Sequence, residues 1–353
     1  MNYKKILIIN LAGIGDLLLS VPALKALRGC FPNAQISLLT TKKVYEITKD
    51  FKFIDKVICL DLNYGGILGL SGIFAQIISL IKLRIENFDI AINMRTLVSD
   101  KSAHKMHALI KFIKPKKVAG RDTENRGVFY DVKIPETQIG QKYEMEYDID
   151  LIEALGATVL DRKIDFKVSQ YNITNMGKKL SELNINKQSI VVGIHPGGMP
   201  SRRWAIENFC ELIGIINKEI DCCFVITGGP SELILAEKLG EALPLRVINF
   251  INQLSIDQTA ALIKRCNLFI SNDTGPMHIA AILRTPLIAL FGPGDIKRFD
   301  PRVIFNKAIV FYNKQECAPC EHVFCEDMLC LKAIKVEDVA KTAVDLLKGI
   351  SNV

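Results

Sequence analysis

Short apolar runs alternate with amphipathic segments along most of this 353-residue chain, and that alternation limits the possible folds more than any other feature. The first run predicts a strand at Lys5–Asn10, and the pattern that follows predicts a helix at Asp16–Gly29. Strands that are separated by helices pair in parallel, and the helices then cover both faces of the sheet. The sequence therefore predicts an α/β protein with doubly wound parallel sheets.

The alternation is interrupted once, in an irregular polar stretch around residues 159–188. We therefore expect a first Rossmann-like domain at residues 1–165, a linker at 166–188 and a second Rossmann-like domain at 189–353. The amphipathic segment Val336–Leu347 predicts a final helix, which packs either on the second domain or back on the first. Two such domains facing each other would create a cleft at the carboxyl ends of both sheets.

The composition excludes several classes of protein. A hydrophobic share of 49% is too high for a disordered chain, and a formal charge of +7 is modest for this length. No basic run is interleaved with aromatic residues, so a nucleic-acid partner is not expected. The apolar run after Met1 is short and suits a first strand better than a signal peptide, which predicts a cytoplasmic protein.

Ten cysteines fit a reducing compartment in a chain of this size. Four of them are clustered near the carboxyl terminus: Cys317, Cys320, Cys325 and Cys330. A zinc site with four thiolate ligands normally has two tight pairs separated by a longer arm, which this spacing lacks. Metal binding and packed or redox-sensitive thiols both remain open for this cluster.

Residues 64–81 carry no charge, which raises the question of a membrane span. Glycines interrupt the first half of this stretch, so a continuous transmembrane helix is not expected. The spacing from Ile73 to Ile81 predicts a short helix. Its apolar face would either pack in the core or touch a membrane.

A polar turn follows the predicted strand Asn267–Ile270 and leads into a helix at Pro276. The free N–H groups and the dipole of such a helix start make a phosphate site. Asp273 is suited to accept hydrogen bonds from a ribose or to orient the loop, while Thr274 and Gly275 are suited to donate to phosphate. The alternative is a structural turn in which Asp or Thr caps the helix.

Other polar turns also follow predicted strands of the second domain. His195 ends one strand, and Arg202 and Arg203 come shortly after it, where they are suited to bidentate diphosphate binding or form a solvated basic turn. Glu232 follows the next strand as a helix cap or a ribose ligand.

The turn Leu11–Asp16 is similar to a dinucleotide-binding fingerprint, but Leu18 stands where the third glycine belongs. Asp16 would also repel a pyrophosphate, so a nicotinamide cofactor is not expected. Two interpretations of Asp16 remain open. It is either a carboxylate that only stabilises the helix dipole or a general base held by the glycine turn.

Two further signals have ordinary explanations. Asp148 and Asp150 match the metal-binding motif of one glycosyltransferase class, but they lie within the amphipathic pattern Tyr143–Leu155 and are predicted to form a solvated helix face. The basic run Lys101–Lys117 contains no acid, and it forms a solvated face or attracts an anionic acceptor or lipid.

Together these motifs resemble glycosyltransferase family 9, the bacterial lipopolysaccharide heptosyltransferases. The resemblance runs along nearly the whole chain, and its most specific block is NLFISNDTGPMHIAAILRTPLIALFGPGD at residues 267–295. It implies the GT-B fold and inverting transfer of a sugar, typically heptose from ADP-heptose, to the inner core of a lipid A-anchored acceptor. It also implies contact with the cytoplasmic face of the inner membrane. Neither a metal nor a cofactor is expected, because cationic side chains and the helix dipole would neutralise the diphosphate.

The resemblance also implies roles for individual residues. Asp16 takes the position of the catalytic base, and Glu232 takes a position that contacts the donor nucleoside. Arg202 stands where many members of the family have Lys. The expected donor-binding residues are His195, Arg202, Arg203, Glu232, Asp273, Thr274, Gly275, Pro276, Met277 and His278. The expected acceptor-binding residues are Gly15, Lys101 and Arg121.

Two rival functions remain open. A nucleotide-sugar epimerase on the same fold would turn over the donor without an acceptor. A binding protein for nucleotide sugars or glycolipids would retain the donor loop and lack turnover.

Overall fold

The computed structural model describes residues 2–49, 51–60, 70–242, 247–320 and 322–351. It divides into two compact units, Met1–Asp165 and Phe166–Val353.

The first unit is built around one six-stranded parallel sheet. The strands are β1 (Lys5–Asn10), β2 (Gln35–Thr41), β3 (Lys56–Leu60), β4 (Ile90–Asn93), β5 (Lys117–Thr123) and β6 (Val132–Glu136). The helices are α1 (Ile14–Leu19), α2 (Val21–Cys30), α3 (Tyr45–Thr48), α4 (Leu70–Ile85), α5 (Asp100–Ile113) and α6 (Glu144–Glu153). The strand order across the sheet is β3-β2-β1-β4-β5-β6.

The second unit contains another six-stranded parallel sheet. Its strands are β7 (Val191–His195), β8 (Cys223–Ile226), β9 (Val247–Asn249), β10 (Leu268–Asn272), β11 (Leu287–Phe291) and β12 (Ile309–Tyr312). Its helices are α7 (Gln170–Glu182), α8 (Ile206–Glu219), α9 (Leu233–Ala242), α10 (Ile256–Arg265), α11 (Gly275–Leu283), α12 (Ile296–Phe299), α13 (Leu329–Lys332) and α14 (Val336–Ser351). The strand order is β12-β11-β10-β7-β8-β9.

The two sheets have the same winding. In each, the first strand of the unit pairs with both the second and the fourth: β1 pairs with β2 and β4, and β7 pairs with β8 and β10. From the first strand, successive strands are added towards one edge of the sheet, and from the fourth strand on they are added towards the other edge. Open α/β sheets bind ligands at the carboxyl ends of the two strands between which this change occurs. The prediction of two doubly wound parallel sheets is confirmed.

Apolar side chains of the strands form the core of each unit. In the second unit, the buried residues of α14, from Val336 to Leu347, lie in the same core cluster as those of α8 and the central strands. The final helix therefore completes the core of the second unit.

The structure contains elements that were not expected from the sequence. The irregular stretch at residues 159–188 contains α7, which contacts α10 in the second unit. The strands β6 and β12 were also not expected, and both lie at sheet edges.

The predicted helix in the uncharged stretch is confirmed as part of α4, while residues 64–69 lie outside the described part of the chain. Within the described ranges, no helix combines the length and apolar character that crossing a bilayer requires.

Candidate active site

In the second unit, the direction in which strands are added changes between β7 and β10, and the loops that follow these two strands lie at that place. Asn272, at the end of β10, joins them, because its side-chain amide donates to the carbonyl oxygens of Pro196 at 2.9 Å and Gly197 at 3.1 Å. Its Oδ1 accepts from the backbone N–H of Trp204 at 3.2 Å. Asn272 is completely buried and was not identified from the sequence, where it reads as one polar residue of a turn.

Arg202 and Asp273 bring these two loops into direct ionic contact. Arg202 Nη1 donates to Asp273 Oδ2 at 3.1 Å, and the Asp273 side chain is 4% exposed. Arg202 Nε is buried and makes no hydrogen bond to any described group. A guanidinium with one donor committed and another unused can still bind an anionic ligand.

Gly294, in the loop after β11, sits against the same carboxylate. A Cβ at Gly294 would lie 2.0 Å from Asp273 Oδ2, closer than atoms can approach. The loop after β11 therefore needs glycine here if Asp273 is to keep its place beside Arg202. The sequence offered only a common Gly-Pro turn at this point and did not identify Gly294.

Glu232 closes the loop that follows β8. Its Oε2 accepts from the backbone N–H of Gly229 at 2.7 Å. Its Oε1 accepts from Ser231 Oγ at 2.6 Å and from Arg203 Nη2 at 3.1 Å. Arg203 Nε in turn donates to the carbonyl oxygen of Gly198 at 2.7 Å, so this pair connects the loops after β7 and β8.

His195 ends β7 and is buried next to β8. Its Nδ1 lies 3.0 Å from the carbonyl oxygen of Thr227 and 3.2 Å from the Thr227 hydroxyl. A carbonyl can only accept, so Nδ1 carries the proton in the neutral ring. Gly197 has no room for a side chain, since a Cβ would lie 2.8 Å from His195 Nε2 and from Glu232 Cγ.

The start of α11 supplies a backbone donor at the same end of the sheet. Thr274 is the N-cap but makes no side-chain capping bond to the helix, and its hydroxyl lies 3.3 Å from the Asn272 carbonyl oxygen. Gly275 and Pro276 are half-buried. Pro276 has no N–H, and the N–H of Met277 donates to the Thr274 carbonyl oxygen at 3.1 Å. What this nine-residue helix presents to an anion is therefore the N–H of Gly275 and its positive dipole end.

The side chains of Met277 and His278 point into the unit, with 0% and 3% exposed. The His278 ring packs edge-on against Phe299, with 6.1 Å between centroids. Neither side chain is therefore exposed at the start of α11.

In the first unit, Asp16 lies in the first turn of α1, just after β1. Its Oδ2 accepts from the backbone N–H of Gly13 at 3.2 Å, and its side chain is half-buried. Gly15 is buried in the same turn. The glycine turn thus holds one carboxylate oxygen and leaves the side chain partly accessible.

Arg121 was expected to bind an acceptor, but it has no exposed surface. Its guanidinium pairs with Glu144 Oε1 at 2.7 Å and Asp148 Oδ1 at 2.5 Å. It also donates to Thr96 Oγ1 at 2.9 Å and stacks over the Tyr147 ring. Because every contact is internal, Arg121 cannot meet an acceptor directly, and that expectation is wrong.

Asp148 corrects a second expectation, because it lies in this buried ion cluster and not on a solvated helix face. The pKa of Asp148 is raised to about 7, mainly by burial; Arg121 opposes the shift, and the carboxylates of Glu144 and Asp16 add to it. Asp150, two residues on, is part-exposed and pairs with Lys142. The buried ion cluster of the first unit therefore interacts electrostatically with the carboxylate of Asp16.

Lys101 lies in the first turn of α5 and is exposed. Among the carboxy-terminal cysteines, Cys317 and Cys325 are exposed, Cys320 is half-buried and Cys330 is buried, where burial raises the pKa of its thiol. Within the described residues, no group of three or more His, Cys, Asp or Glu is arranged to hold a metal ion.

Comparison with known proteins gives consistent matches. The model of glycosyltransferase family 9 (heptosyltransferase) matches residues 78–329. Lipooligosaccharide heptosyltransferase 2 of Campylobacter jejuni is 26% identical over 95% of this chain and 96% of its own. Lipopolysaccharide heptosyltransferase 3 of Escherichia coli is 24% identical over 94% of this chain and 95% of its own.

Solved structures share the fold. The family 9 glycosyltransferase of Veillonella parvula aligns with a TM-score of 0.74 and 22% identity, covering 99% of this chain and 98% of its own. The ADP-heptose lipopolysaccharide heptosyltransferase II of E. coli aligns with a TM-score of 0.73 and 21% identity, covering 98% of this chain and 99% of its own.

Proposed function

The chain belongs to glycosyltransferase family 9, and we propose that it transfers heptose from ADP-heptose to the inner core of a lipopolysaccharide acceptor, with inversion at the anomeric carbon. The observation that carries this proposal is the similarity to named heptosyltransferases, which extends over 95% of the chain. The Arg202–Asp273 pair, with Arg202 partly exposed beside the start of α11, supports a diphosphate donor at that place.

The donor side of the reaction requires positive charge at the leaving diphosphate. We propose that Arg202 and the N–H of Gly275, at the start of α11, bind the diphosphate, and that Thr274 lines it. As the bond from the anomeric carbon to the diphosphate oxygen breaks, negative charge builds up on that oxygen, and fixed donors stabilise it. Arg203 pairs with Glu232 and donates to the carbonyl oxygen of Gly198, and His195 contacts Thr227, so these side chains hold the neighbouring loops in place.

The acceptor side requires a base. We propose that Asp16 takes the proton from the acceptor hydroxyl as that oxygen attacks the anomeric carbon from the face opposite the diphosphate. The new glycosidic bond forms as the bond to the diphosphate breaks, and ADP leaves with the bonding electron pair. A carboxylate held by one backbone N–H is a weak base, so proton transfer should be concerted with attack.

We propose that the acceptor is an anionic, lipid-anchored glycolipid. Lys101, exposed at the start of α5, would bind its negative charge. Such an acceptor resides in a membrane, so we propose that the enzyme works in the cytoplasm with transient contact to the cytoplasmic face of the inner membrane. Arg121 contributes indirectly, because it pairs with the buried acids Glu144 and Asp148 of α6, and α6 contacts α1.

Two measurements test this function. Thermal unfolding with ADP, ADP-heptose, UDP and UDP-hexoses should show a rise of about 2–4 °C for the ADP compounds at saturating concentration. Incubation of ADP-heptose with a deacylated inner-core acceptor should then yield ADP and a glycosylated product. A preference for UDP compounds would refute the proposed donor. Conversion of the donor without an acceptor would instead indicate an epimerase.

A further inference from the structure

Helix α4 exposes a continuous apolar stripe. Ile77, Ile78, Ile81 and Ile85 all lie on its outer surface, and Ile78 and Ile85 are 51% and 68% exposed. At 3.6 residues per turn, these four positions fall within an arc of about 100°. Leu83, on the opposite side of the helix, is fully buried in the core of the first unit. The helix therefore has two apolar sides: one packs in the core of the first unit, and the other is exposed.

Cations border this stripe. Lys82 and Arg84 are exposed and flank the arc on its two sides. Arg84 Nη1 donates to the carbonyl oxygen of Phe112 at 2.6 Å, and its guanidinium lies over the Phe112 ring. This contact joins the carboxyl end of α4 to the carboxyl end of α5. Phe112 is itself 40% exposed and extends the apolar surface across the junction.

The outer face of α5 continues the positive charge. Lys105 and Lys111 are both exposed on this helix, Lys105 about 20° and Lys111 about 100° around the helix axis from Phe112. Nearby acids are already paired with other cations: Glu86 with Lys5 and Lys56, Asp89 with Lys116, and Asp100 with Arg126. The surface consequently carries net positive charge around an apolar centre.

We propose that this face is a docking surface for an anionic lipid bilayer. The α4–α5 surface consists of Ile77, Ile78, Ile81, Ile85 and Phe112 together with Lys82, Arg84, Lys105 and Lys111. A narrow apolar arc with cations along both borders is the pattern of a helix that lies in a membrane interface. Lysine is depleted from protein–protein interfaces but is attracted to anionic headgroups, which favours lipid over a protein partner.

This inference rests on the proposed function, because a lipid-anchored acceptor gives the enzyme a reason to sit on a membrane. The α4 helix would lie along the bilayer surface with its isoleucines among the upper acyl chains. The lysines would remain at the level of the phosphates.

The test is flotation of the purified full chain with vesicles of phosphatidylcholine alone or with phosphatidylglycerol added. We expect binding to the anionic vesicles only. Ile78→Gln combined with Ile81→Gln should weaken it by about tenfold or more. Lys105→Gln combined with Lys111→Gln should also weaken it about tenfold or more and reduce its salt dependence by about half, since Lys82 and Arg84 remain.

Matched controls come from the second unit, where Ile234→Gln and Lys341→Gln replace comparably exposed residues. These control variants should float like the unmodified chain. Equal flotation of all variants would overturn the proposal. So would a failure of the unmodified chain to bind anionic vesicles, or a change in sedimentation showing that the stripe pairs two copies of the chain.

Activity measurements separate this inference from the proposed function. With a deacylated, water-soluble acceptor, the α4–α5 variants should transfer sugar at the unmodified rate, since none of the substituted residues is assigned to the site. With an acceptor embedded in anionic vesicles, their rate should fall in parallel with flotation. Flotation without any sugar transfer would leave the docking surface standing and refute the enzyme reaction.

Discussion

Arg202 and Asp273, which are far apart in the chain, form an ion pair of 3.1 Å between the loops after β7 and β10. The pair is largely shielded from water, and Arg202 retains a buried Nε with no partner among the described residues. A partly exposed guanidinium that is only partly satisfied has unused capacity for a ligand. Four predictions follow from this arrangement and from the two carboxylates of the first unit.

Replacing Arg202 should weaken donor binding. Arg202→Ala removes a charge-assisted contact and leaves Asp273 without this cation, so ADP affinity should fall by about 10- to 100-fold in titration calorimetry. Arg202→Lys keeps the charge but loses the planar donor geometry, so its loss should be smaller. Arg302→Ala is the control, because Arg302 pairs with Asp300 on the surface. Unchanged ADP affinity in Arg202→Ala would remove Arg202 from the donor site.

Gly294→Ala should disturb the same site by steric means alone. The added methyl group would overlap Asp273 Oδ2, so the carboxylate must move away from Arg202. We expect a loss of about 1–3 kcal/mol in unfolding free energy and a weaker affinity for ADP. Gly214→Ala, in α8, meets no atom within 4 Å and should be neutral or slightly stabilising. Equal unfolding free energy and ADP affinity in the two variants would show that the loop after β11 can shift to accept the methyl group without cost.

Asp16→Asn should separate binding from turnover. The amide keeps the size of the side chain but cannot accept the proton, so kcat should fall by about 10²- to 10⁴-fold. ADP-heptose affinity should stay within a factor of two to three, since the proposed donor residues lie in the second unit. Single-turnover assays measure kcat, and calorimetry measures the affinity. Near-normal turnover would mean that another group is the base and that Asp16 only stabilises the start of α1.

Asp148 should make the stability of the first unit depend on pH. Its pKa is raised in the folded state, mainly by burial, so between pH 4 and pH 7 the native chain keeps a proton that the unfolded chain has released. Its contribution is therefore favourable at low pH and is lost as the pH rises through that window. Relative to Asp148→Asn, the unmodified chain should lose about 1.4 kcal/mol of unfolding free energy per pH unit there.

Calorimetry across that range is the suitable measurement, because the single tryptophan, Trp204, reports only on the second unit. Asp161→Asn controls for the loss of one exposed negative charge from the first unit. A difference that stays constant from pH 4 to pH 8 would contradict the raised pKa of Asp148.

Much of the fold could be predicted because parallel strands that are buried on both faces form apolar runs in sequence. The central strands β1, β4, β7 and β10 are all of this kind. Helix α7 was missed because only Met176 and Leu180 of its described residues are buried, so its apolar stripe is too thin to stand out. The edge strands β6 and β12 are only partly covered, and their runs are correspondingly weak.

The motifs correctly identified the family and the fold. The environment of Arg121 could not be predicted, because its partners Glu144 and Asp148 lie in α6. Nothing in the sequence shows that α6 packs against β5, the strand that carries Arg121. In sequence, the polar stripe of an amphipathic helix looks the same whether it faces water or a buried cation. Asn272 and Gly294 were overlooked for a similar reason, since their importance comes from contacts with distant loops.

The matching order of β1–β6 and β7–β12 has an evolutionary consequence. Each strand finds its ladder partners within its own six, so neither sheet needs the other to complete its hydrogen bonding. Substitutions in residues 1–165, where we propose that the receiving glycan binds, can therefore accumulate without disturbing the backbone that surrounds Asp273. Such modularity would let descendants of this enzyme decorate different cell-surface glycans while drawing on one activated sugar.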